Sequence, residues 1–189
     1  MPAADPPASS ADQPSPHLPD LVGLFYDRPE ELGTFEPISP AEVPQPYRRL
    51  LAHNKHMTET VEQFHGSKVN VKVLARRRDD GFYSRKILLT RQSDGRVVQF
   101  GIPRLNTAYL EEDVRREIES EQKPLGRVLI DHNVLREVQF DALWRVQPGS
   151  DLCRMFGLAK PQTVYGRTAL IYCNGEPAIE LLEIVTPQP

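Results

Sequence analysis

The chain has 189 residues, a net charge of −3, 26% charged residues and 39% hydrophobic ones. That length suits one domain plus a tail, and the lack of a basic excess argues against nucleic-acid binding. No apolar run approaches the ~18 residues that would cross a bilayer. Met1–Asp20 lacks the charged start and apolar centre of a secretory leader, so a cytoplasmic address is expected. The two cysteines, Cys153 and Cys173, form neither a CxxC nor a zinc spacing and read as reduced thiols.

Taken in order, residues 1–20 are rich in Pro, Ala, Ser and Asp and have almost nothing to bury, which predicts a disordered tail. Leu21, Val22, Leu24, Phe25 and Tyr26 form an apolar patch able to dock, so 21–45 reads as an extended docking segment and 46–189 as the folded domain. Residues 27–46, with five prolines, read as loop. A helix is predicted from Pro46, with Tyr47, Leu50 and Leu51 inward. The polar stretch His53–Met57 breaks it, and a second helix follows Thr58, capped by Asn54 or Thr58 and stopped at Gly66.

The pattern then changes to period two. Val69, Val71 and Val73 mark a strand, 82–91 a second, and Asp94-Gly95 a hairpin into 96–102. Residues 108–120 read as a helix with Tyr109, Leu110, Val114 and Ile118 on one face. Pro124-Leu125-Gly126 reads as a turn, 138–147 as a strand and 152–158 as a short helical segment. Strands 163–173 and 177–186 join at Asn174-Gly175. Tight turns imply an antiparallel pairing. The expected fold is α+β, a single antiparallel sheet of about six strands covered on one face by helices.

Four places carry candidate chemistry. Arg85 sits mid-strand between Phe82-Tyr83 and Ile87-Leu88-Leu89. It is either solvated on an outward face or buried inward, where a carboxylate would be its natural partner. Met57-Thr58 opens a helix, whose first N–H groups suit an anion; the plainer reading is a capped helix with a core methionine. Gly126 allows close backbone approach beside Leu125, or serves only a structural turn. Glu183 stands among Leu181, Leu182, Ile184 and Val185. Glu180, an odd number of positions away, faces the other side of a regular strand unless a bulge intervenes. His53 and His56 are three apart, but no further ligand falls at a zinc spacing, so no metal is expected.

The ordered pieces Asn54-Lys55-His56-Met57-Thr58, Phe82–Leu89, Pro124-Leu125-Gly126-Arg127 and Glu183-Ile184-Val185-Thr186-Pro187 resemble the chorismate lyases over roughly residues 45–187. That family splits chorismate into 4-hydroxybenzoate and pyruvate without metal or cofactor. The resemblance implies that Arg85, with the backbone N–H groups of Met57 and Leu125, binds the ring carboxylate, and that Glu183 meets the ring hydroxyl. Thr58 and Gly126 accompany them as binding positions. One departure is an extra residue between Pro177 and this glutamate. The implied partner is a small aromatic carboxylate, not nucleic acid or membrane; the oligomeric state stays open. The alternative is a non-catalytic binding protein of the same fold, like the effector-binding domains of GntR-type regulators. A lyase-like enzyme acting on a different isomer is a third reading.

Overall fold

The computed structural model describes residues 14–188; most of the expected disordered tail therefore lies outside the described residues. Helix α1 (Leu18–Gly23) is followed by strand β1 (Gly33–Ile38), helices α2 (Tyr47–Leu51) and α3 (Met57–His65), and strands β2 (Val69–Asp79), β3 (Phe82–Arg91) and β4 (Val97–Asn106). Helices α4 (Glu112–Glu119) and α5 (Leu125–Asp131), strand β5 (Arg136–Pro148), helix α6 (Ser150–Phe156) and strands β6 (Val164–Cys173) and β7 (Glu176–Val185) complete it. No described helix is long and apolar enough to cross a membrane.

The strands form one antiparallel sheet of seven, in the order β1-β5-β6-β7-β4-β3-β2. Its hairpins follow from their turn residues. Asp80-Gly81 and Asn174-Gly175 all take positive φ, the pairing that joins two twisted strands with two residues. The seventh strand is β1, in a stretch whose prolines made it read as loop. It lies at the sheet edge against β5, where a missing N–H costs no ladder bond if it points outward. The segment 21–45, expected to be extended, thus supplies a strand as well as part of α1.

Alternation along the strands separates two cores. Ile87, Leu89 and Val185, with Tyr83, Leu105 and Leu181, face α2 to α5. Leu88, Phe100, Ile102, Leu182 and Ile184 face the other way and are covered by Leu18, Leu21, Val22 and Tyr26 of the N-terminal segment. Burying each such side chain contributes roughly 1.5–3 kcal/mol. The N-terminal segment is therefore bound to the sheet by an apolar interface.

Local differences from the sequence reading have physical causes. Helix α3 begins at Met57 rather than after Thr58, and its cap position is His56, with no side-chain cap bond. The supposed turn at Pro124-Leu125-Gly126 is the start of α5: Pro124 precedes the helix and Val128 and Leu129 bury its inner face. Tyr109 belongs to a short 3₁₀ turn and is exposed, whereas Val114 and Ile118 anchor α4 as expected.

Candidate functional site

Consecutive transverse rungs of the sheet make the floor of a cavity. On the middle rung Arg167, Glu183, Gly101 and Ile87 stand opposite one another across β6, β7, β4 and β3. On one flank Val185, Gln99 and Leu89 follow; on the other come Ala169, Leu181 and Pro103. Gly101 leaves the centre of the floor without a side chain; a Cβ there would lie 3.3 Å from Ile87 Cγ1. The roof is the start of two helices, His56-Met57-Thr58 of α3 and Leu125-Gly126 of α5. Floor and roof enclose a tight cavity of about 30 Å³.

The two helix starts touch. A Cβ on Gly126 would fall 2.8 Å from Thr58 Oγ1 and 3.1 Å from its Cβ. Glycine is thus required here by contact rather than by an unusual φ. The first recorded helical bonds run from Thr60 N–H to the His56 carbonyl and from Arg127 N–H to that of Pro124. The N–H groups of Met57, Thr58, Leu125 and Gly126 precede those bonds, so they lack intrahelical acceptors.

Five of the six residues singled out in the sequence line this cavity: Met57, Thr58, Leu125, Gly126 and Glu183. Arg85 does not line it. It lies between the paired positions Ser84↔Arg104 and Ile87↔Gly101, on the same sheet face and beside the Pro103 flank. Its side chain is 0% exposed, and Nη1 donates to the Ile118 carbonyl at 3.0 Å. Nε and Nη2 have no partner among the described residues. Burial holds its pKa below the usual arginine value. A buried guanidinium with two unmatched donors is costly until an acceptor arrives.

Glu183 is 7% exposed, and Glu180 pairs instead with Arg104 at 3.1 Å. The carboxylate of Glu183 accepts from Arg167 Nε at 2.8 Å and from Gln99 Nε2 at 3.3 Å. Gln99 Oε1 is buried and has no partner. Arg167, 0% exposed, was not singled out in the sequence. Its Nη1 donates to the His53 carbonyl at 2.7 Å and its Nη2 to that of Lys55 at 3.0 Å, so one side chain ties the α2–α3 connection to Glu183. The signal for it was the one that flagged Arg85: a lone arginine within an apolar strand. Gln99 carried no signal, because a glutamine between Val98 and Phe100 reads equally well as an outward residue.

His53 and His56 flank this connection. Burial and the nearby Arg167 push His53 down to about 4; burial, Arg136 and Arg167 push His56 down to about 4. Both imidazoles are neutral near pH 7. Among the described residues no group of three His, Cys, Asp or Glu side chains is placed to hold a metal ion, and Cys153 and Cys173 are free thiols.

No family model and no curated protein matches the sequence. Among solved structures, the chain is similar to the effector domain of PhnF from Mycobacterium smegmatis, with TM-score 0.52 and 13% identity over 69% of this chain and 88% of that one. It is similar to PhnF itself with TM-score 0.51 and 12% identity, covering 70% of this chain and 64% of that one, so it spans under two thirds of PhnF. A weaker match, TM-score 0.46 at 10% identity over 64% of this chain and 86% of that one, is a ligand-binding domain from Bordetella bronchiseptica assigned to the GntR family. At these identities the likeness concerns the fold alone, which is the chorismate lyase-like α+β fold shared with such regulator domains.

Proposed function

We propose that the cavity binds a small aromatic carboxylate and that the chain acts on chorismate as a pyruvate-lyase. The observation that carries this is the matching of unmet hydrogen-bonding groups to its two ends. Unmatched donors, Nε and Nη2 of Arg85, lie beyond the Pro103 flank; an unmatched acceptor, Gln99 Oε1, lies beside Glu183. Between them the walls are apolar, with Ile87, Leu89, Leu125 and Leu181. A hydroxybenzoate has that polarity: a carboxylate at one end, a hydroxyl donor at the other and a ring between. Arg85, together with the N–H groups of Met57 and Leu125, would hold the carboxylate in a charge-assisted way.

For chorismate the same residues would orient the diene acid. The C3–O bond breaks and the enolpyruvyl oxygen leaves with the electron pair. The C4 proton is lost, the ring aromatises, and the enolpyruvate is protonated to pyruvate. Glu183, held toward the C4 hydroxyl, is the group positioned to assist that proton transfer. Exclusion of water and fixed donors would supply the remainder.

A second reading, non-catalytic effector binding, is favoured by the regulator domains among the structural neighbours and by the bonds that already occupy Glu183. Incubation with chorismate separates the two. Equal amounts of 4-hydroxybenzoate and pyruvate, formed faster than in a blank, are expected of the lyase. Saturable binding of hydroxybenzoates with no pyruvate would establish the second reading, and neither binding nor product would overturn both.

A further inference from the structure

Two surface grooves run together away from the central cavity and share no lining residue with it. The first lies on the sheet face that carries the N-terminal segment. It is lined by Lys72 and Leu74 of β2, Lys86 and Leu88 of β3, and Asp151 and Met155 of α6. The second turns round the strand ends, past Val97, Phe156, Leu158 and Pro187, to Phe64 of α3. Val97, Arg154 and Met155 belong to both, so the two form one channel. It crosses β2, β3, β4 and the end of β7, which are neighbours in the sheet, and therefore spans about 14 Å. Its floor is apolar and incompletely covered: Leu74 is 37% exposed, and Phe64, Val97, Met155, Phe156 and Leu158 are half-buried. Its rim is cationic. Lys72, Lys86, Arg91, Arg96 and Arg154 line it, against the single lining carboxylate of Asp151. Asp151 is shared between Lys86 and Arg154, and Asp94, beside the channel, between Arg91 and Arg96. Burial holds the His65 imidazole in the rim below its usual pKa, so it adds no charge near neutral pH.

We propose that this channel is a docking groove for an acidic peptide segment of a partner protein. Apolar side chains of the segment seat on Met155 and Phe156, and its carboxylates meet Lys72, Arg96 and Arg154. Charge complementarity selects this occupant. Five cations share two carboxylates here, on a chain whose net charge is −3, so the positive surplus is local. Such a rim attracts an acidic segment and repels a basic one. The floor adds what charge alone does not. Arginine, methionine and phenylalanine together are the residues enriched where proteins meet, and a half-covered apolar strip with a polar rim marks such a contact. The span suits four or five residues of an extended segment. The groove is independent of the ligand in the central cavity.

The probe is a fluorescein-labelled peptide of three Glu-Leu-Asp-Phe repeats, titrated by fluorescence anisotropy into the full chain. Three controls accompany it: a peptide with lysine in place of each acid, a peptide with serine in place of each apolar residue, and a thymidine oligonucleotide of equal charge. The double variant Lys72→Glu/Arg96→Glu changes two exposed side chains, one in each half of the channel, and its melting temperature should match the wild type. The acidic apolar peptide should bind saturably, about tenfold or more tighter than any control. The double variant should lose about tenfold or more of that affinity, and added salt should weaken binding in the wild type. Amide shifts on binding should be confined to the channel, around Val97 and Met155. The proposal is overturned if the peptide does not bind saturably, if the lysine peptide binds as well, or if the double variant keeps the affinity. Equal binding of the serine peptide or the oligonucleotide would reduce the groove to a general polyanion surface and overturn it too. If the chain alone sediments as a dimer that the double variant breaks, the groove belongs to a second copy instead.

Discussion

Arg85 and Arg167 are both fully buried on the same face of the same sheet, and they are opposites in what surrounds them. Arg167 has a carboxylate on Nε and backbone carbonyls on both other nitrogens. Arg85 has a single carbonyl and two nitrogens without partners. A guanidinium whose donors are all met works as a fastener, and replacing it leaves a buried carboxylate uncompensated. A guanidinium left with free donors adds nothing comparable to the fold. It is a cost that the proposed ligand would offset.

The largest expected effect tests this contrast directly. Arg167→Met should destabilise the chain by about 3–5 kcal/mol, because it strands Glu183 and releases the α2–α3 connection. Arg85→Met should leave the chemical-denaturation midpoint unchanged or raise it, while hydroxybenzoate binding and any turnover disappear. Equal losses of stability in the two variants would remove the distinction.

Acid provides the next largest effect. The folded-state pKa of His56, about 4, lies below its unfolded value of about 6.5. The unfolded chain therefore takes up its proton first as pH falls. Stability is full above about pH 6.5 and is lost progressively toward pH 4, by up to ~3 kcal/mol for His56. His53 adds to the loss in the same direction. Urea denaturation between pH 7 and 4 should show this slope, and His56→Gln should reduce it.

Gly126→Ala comes third. Its Cβ would meet Thr58 and push the two helix starts apart, at a cost of about 1–3 kcal/mol. Binding should weaken with it, and Thr58→Ser, which keeps the clash with Oγ1 but removes a methyl, should relieve it only in part. The smallest effect is expected of Gln99→Leu. The substitution removes a buried acceptor without a partner but also the long 3.3 Å amide donor to Glu183; the two offset, and stability should fall by about 1 kcal/mol or less. It should also cut the preference for 4-hydroxybenzoate over benzoate, which paired calorimetric titrations would read.

Much of the fold was legible because hairpin chemistry and period-two burial are local. Asn174-Gly175 and Asp94-Gly95 lie at turns where expected, and the cores alternate along β3 and β7 as their apolar positions require. The strand β1 was not legible, because an edge strand tolerates the proline that would disqualify a central one. Of the candidate site, the cavity-lining residues at the two helix starts could be found from Met57-Thr58 and Leu125-Gly126. The partners of Glu183 could not. Arg167 and Gln99 meet it only through the register of β6 and β4 on β7, a property of three strands far apart in sequence.

The bonds of Arg167 also bear on traffic. The carbonyls of His53 and Lys55 are pinned to a buried cation, so the α2–α3 wall is the fixed jamb of the cavity. The opposite wall is hung differently. Beyond the buried anchors Val114 and Ile118, the end of α4 and the residues after it add Tyr83–Glu121 and the ion pairs Arg78–Glu119 and Arg76–Glu121, whose arginines lie in solvent and hold little. Opening is drawn from the least stable contacts, so the end of α4 is the expected door for the proposed ligand. On the proposed reading, a ring carboxylate bonded to Arg85 would latch that door, because Arg85 is itself joined to the Ile118 carbonyl of α4.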